Sequence, residues 1–110
     1  MEMTAAVRAF EALGQPTRLA VFRLLVQALP GDIPAGQIAT RLDLRANTLS
    51  SHLASLTDAA LIRAERHGRS IRYAADIDGL RALVAWLLQD CCGGKPETCA
   101  PLLAQITCTC

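Results

Sequence analysis

A chain of 110 residues has the length of one domain, and a net charge of +1 by itself points to no nucleic acid. Hydrophobic residues make up 52% and mean hydropathy is +0.29, more apolar surface than a core of this size needs, so some of it is expected to be buried against a second copy. No apolar run approaches the roughly 18–20 residues of a membrane span, and MEMTAAVRAFEALG has no signal-peptide core, which predicts a cytoplasmic protein with reduced thiols.

The first helix is predicted from Thr4, a possible cap, through Val7, Phe10 and Leu13 to Gly14. Pro16 suits the first turn of a second helix, where Leu19, Phe22, Leu24, Leu25 and Val26 form a broad apolar stripe ending before Pro30-Gly31. Pro34 opens a short third helix with Ile38, Ala39 and Leu42 inward. Asp43-Leu44 leaves room only for a tight turn before a fourth helix that runs to about Thr57. Two short helices about a tight turn describe a helix-turn-helix.

The fourth helix has an unusual composition. Leu49, Leu53 and Leu56 face the core, with Ala46 beside them, while steps of about 100° per residue send Asn47, Thr48, Ser51 and Ser55 outward. An ordinary solvated face carries Glu and Lys. Short uncharged donors and acceptors can instead enter a groove and meet base edges and phosphates. Ile62 and Ala64, then Ile71 and Tyr73, alternate with polar residues about Arg66-His67-Gly68-Arg69, which predicts two strands and a basic turn. Residues 41–75 carry Arg41, Arg45, Arg63, Arg66, Arg69 and Arg72 against Asp43, Asp58 and Glu65, a local +3 made entirely of arginine, whose planar fork suits phosphate. A helix-turn-helix followed by a basic hairpin reads as a winged helix. Asp76 or Asp78 then caps a last helix whose Leu80, Leu83, Val84, Leu87 and Leu88 are too apolar for a monomer's surface. Paired with the first helix, it is the natural dimer interface. The expected fold is mainly α with a small β-hairpin, a winged helix-turn-helix homodimer over residues 1–92, followed by a cysteine-rich tail over residues 93–110.

The chain resembles the ArsR/SmtB family of small dimeric winged-helix repressors through three motifs: A-L-G-Q-P-T-R-L-A-V-F-R-L-L, L-S-S-H-L-A-S-L-T-D-A-A-L-I and R-H-G-R-S-I-R-Y. The match runs from about Phe10 to Leu88. The resemblance implies a non-enzymatic homodimer that binds double-stranded operator DNA and leaves it when a metal or metalloid binds. It makes Asn47, Thr48, Ser50, Ser51 and His52, headed by Arg45, the DNA-reading residues, with Arg66, Gly68 and Arg69 in the wing. His52 lies at the edge of the apolar face, so helix packing and phosphate contact stand beside base reading as its role.

The familiar sensing sites of that family are missing. The helix before the recognition helix reads P-A-G-Q-I-A-T-R-L without a thiol, and both histidines, His52 and His67, lie in the DNA-binding region. All five cysteines are in the tail: Cys91, Cys92, Cys99, Cys108 and Cys110. An odd count in a reducing compartment points to metal, metalloid or redox chemistry rather than a disulfide framework. Gly93-Gly94 stops the last helix and lets Cys91 and Cys92, about 100° apart on an intact helix, converge, while K-P-E-T turns the chain so that Cys99 can return. Zinc wants four ligands, usually with Cys-x-x-Cys pairs; soft, pyramidal trivalent arsenic takes three thiolates. Cys91, Cys92 and Cys99 therefore fit As(III), or Sb(III), better than zinc, and some arsenic repressors of this fold carry a similar adjacent pair with a later cysteine. Methylated As(III) needs only Cys91 and Cys92. Cys108 and Cys110 are open to delivery, a second site or no role. The alternatives are a thiol-disulfide switch on the same cysteines or a repressor responding to another soft metal, Cd, Pb or Zn. A metal-storage protein would leave the Asn/Thr/Ser helix unexplained, and an enzyme would need an acid–base pair that the sequence lacks.

Overall fold

Five helices and a three-stranded sheet follow one another over residues 1–89 of the computed structural model, which describes those residues together with Glu97, Ala100, Pro101, Ala104 and Gln105. The expected boundary between body and tail, and all five cysteines, lie outside the described residues. The helices are α1 (Met3–Leu13), α2 (Pro16–Gln27), α3 (Ala35–Leu42), α4 (Ala46–Asp58) and α5 (Ile77–Leu87). The strands are β1 (Ile33–Pro34), β2 (Ile62–His67) and β3 (Ser70–Ala75), in the antiparallel order β1-β3-β2. The mainly helical winged helix-turn-helix expected from the sequence is the observed fold.

One core serves all the elements. Val21, Phe22 and Leu25 of α2, Ile38 of α3, Leu49, Leu53 and Leu56 of α4, Leu61, Ile62, Ala75 and Leu83 are all buried in one cluster. β1 was not foreseen, because two residues are too short to show alternation. It pairs Ile33 with Tyr73 and so closes the inner edge of the hairpin against the helices.

α1 differs from its sequence reading. Its start, after Glu2, has no side-chain cap, so Thr4 does not cap it. The residues it turns into its own protomer are Ala6, Ala9 and Ala12, while Met3, Val7 and Phe10 stay exposed. Small side chains allow close approach to the body and leave the large ones outside. α5 repeats the pattern: only Leu83 is fully buried, and Ile77, Val84 and Leu87 remain exposed. The Asp76 side chain caps α5 by accepting from the Gly79 backbone N–H at 3.2 Å. Gly79 is there for space, since a Cβ at that position would collide with the backbone carbonyl of Ala60, in the turn that ends α4.

Candidate nucleic-acid interface

The turn between α3 and α4 is made by three residues, Asp43, Leu44 and Arg45. Asp43 takes the left-handed conformation, φ 52° and ψ 54°, which Asp tolerates better than most residues. The Leu44 N–H then reaches back to the Ala39 carbonyl at 2.9 Å, and the Leu44 side chain packs against the core. Arg45 is extended and offers no cap with its side chain. The first-turn N–H groups of α4, the positive end of its dipole, follow it directly.

On α4, Leu49, Leu53 and Leu56 fill the core, at most 2% exposed. Arg45, Asn47, Thr48, Ser50 and Ser51, the candidate DNA-contacting residues, are exposed. The Asn47 Oδ1 accepts from the Thr48 N–H at 2.9 Å, which holds that side chain over the first turn. Two residues differ from expectation. Ala46, placed beside the core, is exposed, because the helix begins there and nothing covers it. Ser55, placed on the reading face, is half-buried; its hydroxyl donates to the Ser51 carbonyl at 3.3 Å, and it lines a separate cleft with Arg8, Glu11, Arg18 and Asp58.

His52 is half-buried on the inner flank of α4, with Nδ1 3.5 Å from Arg18 Nη1. A guanidinium has only donors, so the facing Nδ1 accepts and the ring proton belongs on Nε2. Arg18 has no motif to single it out in the sequence, although it is the one cation in the first turn of α2. Its Nε donates to the Ala12 carbonyl at 2.8 Å and its Nη2 to the Glu11 carbonyl at 3.2 Å, which satisfies the end of α1. Through one side chain, α1 is tied to the reading helix.

The wing is a ladder running from Ile62↔Ala75 to His67↔Ser70, closed by Gly68 and Arg69. Gly68 has φ +64°, the positive value that a two-residue hairpin turn needs at its first position. Beyond Ile62, β2 is exposed throughout, so Arg66, Gly68 and Arg69 project with the rest of the tip into solvent. Arg69 and Ser50 line the same cleft, which brings wing tip and reading helix together.

Arg72 has another task. Its Nε donates to Asp32 Oδ1 at 2.7 Å, fastening β3 to the residue before β1. That hydrogen bond, with a lesser aid from the charge of Arg72, holds the Asp32 carboxyl below the usual aspartate range against the opposing effect of desolvation. Asp32, Glu65 and His67 bring three potential ligand atoms within 4.8 Å of one another. A guanidinium already occupies Asp32 and opposes a cation, so the group is the Arg72–Asp32 ion pair with Glu65 and His67 beside it on the wing.

Comparison with known proteins agrees with this architecture. A family model described as a helix-turn-helix domain matches residues 13–65. The HTH-type transcriptional regulator CmtR of Mycobacterium bovis is 40% identical over 84 residues, covering 76% of this chain and 69% of that protein. An ArsR-like transcriptional regulator from Rhodococcus sp. RHA1 superposes with a TM-score of 0.69 at 26% identity, over 97% of this chain and 96% of the other. A homodimeric winged helix-turn-helix DNA-binding domain from Mycobacterium bovis, a possible ArsR-family regulator, gives 0.65 at 28% identity, over 80% and 82%. No helix among the described residues is long and apolar enough to cross a membrane. With the reading helix, the wing and these relatives in agreement, the chain belongs to the ArsR/SmtB family of winged-helix transcriptional regulators.

Proposed function

We propose that the protein is a repressor that binds a palindromic operator as a homodimer and is released when trivalent arsenic binds Cys91, Cys92 and Cys99. The observation that carries the DNA half is the division of α4: its leucines are buried, while Arg45, Asn47, Thr48, Ser50 and Ser51 stand exposed beside an arginine-tipped wing. The exposed apolar residues of α1 and α5, which pack against each other, are the surface through which two protomers would pair. A two-fold axis there presents two reading helices to successive half-sites.

The sensing half rests on the donor set. The tail supplies soft thiols and no imidazole, and both histidines are engaged elsewhere, His52 beside Arg18 and His67 beside Glu65. Cys91 follows Leu87 by four residues, so a centre held by the tail is tied to the end of α5. Two contacts can pass a shift of the dimer helices to α4: Gly79 against Ala60 from α5, and Arg18 with His52 from α1. A coupling of about 1–3 kcal/mol is enough to empty an operator.

The test is a titration of operator DNA, selected by the protein from a random pool, in buffer reduced with a phosphine. Arsenite, antimonite and methylarsenite should lower occupancy, and serine at Cys91, Cys92 or Cys99 should leave DNA binding intact and remove the arsenite response. An unchanged response in all three variants rejects the site. A response to oxidant alone, lost under phosphine, selects the disulfide switch, and a response to cadmium, lead or zinc alone selects another soft metal.

A further inference from the structure

Between the reading helix and the wing lies a cleft of about 530 Å³ whose apolar floor the proposed DNA contacts do not use, although two of them, Ser50 and Arg69, stand at its mouth. Leu49 and Leu53 of α4 and Ile71 and Tyr73 of β3 form its apolar floor, and Ala35, Gly36 and Ala39 of α3 form one wall. Its size falls within the range of about 300–1,000 Å³ typical of small-molecule sites, which are mostly apolar with a few convergent polar groups. The space beside the wall is real: a Cβ added to Gly36 would meet nothing within 4 Å. Larger side chains on α3 would fill the cleft. At its mouth stand the hydroxyl residues Ser50 and Ser70 and a single charged residue, Arg69, which has no ion-pair partner among the described residues.

We propose that this cleft binds a small amphipathic anion, a flat or chain-like apolar body with one carboxylate or sulfonate that pairs with Arg69. The apolar walls match the body. The one cation at the mouth sets the sign of the head group, and its planar fork suits an oxyanion. The consequence for DNA rests on the repressor reading above. A ligand seated here takes Arg69 from phosphate and wedges α4 apart from β3, so it lowers operator affinity without involving the cysteines.

The probe is anilinonaphthalene sulfonate, with its uncharged parent phenylnaphthylamine as control, titrated into the full chain without DNA. The sulfonate should bind saturably at one per protomer. Gly36→Leu and Ala39→Leu should each weaken both dyes at least tenfold, and Gly36→Leu, at an exposed position, should leave circular dichroism and operator affinity unchanged. Arg69→Gln should weaken the sulfonate about tenfold, a loss of about 1.4 kcal/mol, and leave the uncharged dye as it was. Unaltered binding in Gly36→Leu and Ala39→Leu, or equal losses of both dyes in Arg69→Gln, would overturn the site. In a separate anisotropy assay the sulfonate should reduce operator affinity of the wild type and not of Gly36→Leu. If the protein bound no DNA at all, the repressor reading would fail while the dye titration would still decide the cleft.

Discussion

Arg18 shows how much one side chain can organise in a chain this small. Its guanidinium closes the end of α1 and rests against His52, so it belongs at once to the helix expected in the interface and to the helix expected on DNA. Arg18→Met removes the donors and leaves the Ala12 carbonyl without its side-chain donor, while the Glu11 carbonyl keeps the Gly14 N–H. We expect a loss of about 1–3 kcal/mol of stability in urea denaturation, the cost of orphaned hydrogen-bonding groups. Asp32 acts at the same scale. Its carboxyl titrates below its unfolded value because Arg72 donates to it, so the contribution is full above the unfolded pKa and is lost as pH falls through the folded one. The melting temperature of wild type should therefore exceed that of Asp32→Asn at neutral pH, with the gap closing as the solution is taken below the normal aspartate range. A gap that stayed constant through the acid range would show that Arg72 does not hold the carboxylate.

At the scale of elements, α4 and the wing should divide the work on DNA. Asn47→Ala removes a group able to meet a base edge, so it should cost about 1–3 kcal/mol of discrimination on the preferred sequence and little on random DNA. Arg66→Gln removes a charge suited to phosphate, so it should weaken binding to every sequence alike and lower the slope of log affinity against log salt by about one. Quantitative band-shift titrations at several salt concentrations on both DNAs separate the two. The long periodic elements were legible in the sequence because burial follows hydropathy along α3 and α4, and along α2 except at Leu19, which the apolar stripe placed inward and which is exposed. β1 was not, since Ile33-Pro34 is fixed by pairing with β3 rather than by any local pattern. Ser55 and Ala46 were misplaced for another reason: helical angle alone does not say where neighbouring elements end. Arg18 left no periodic signal, because its partners are backbone carbonyls of another helix. The proposed thiol site rests on sequence chemistry alone, three cysteines near one another in the chain without imidazole, and lies outside the described residues.

At the scale of the molecule, the proposed dimer surface is already laid out on the protomer. Met3, Val7 and Phe10 of α1 and Ile77, Val84 and Leu87 of α5 are exposed, Leu87 by 55%. Phe10→Asp places a charge on that surface and should shift the sedimentation coefficient to that of a monomer while α-helical circular dichroism is largely kept. It should also abolish tight operator binding, because half-site affinities then no longer reinforce each other. The alanine stripe of α1 has a consequence for supply. A first helix that buries Ala6, Ala9 and Ala12 in its own protomer and leaves Met3, Val7 and Phe10 exposed for the proposed partner makes folding and assembly draw on opposite faces of one element. While most chains are monomeric, the amount of competent dimer then varies with the square of copy number. Halving synthesis would cut it about fourfold by mass action, which makes silencing by such a protein a threshold in its own expression.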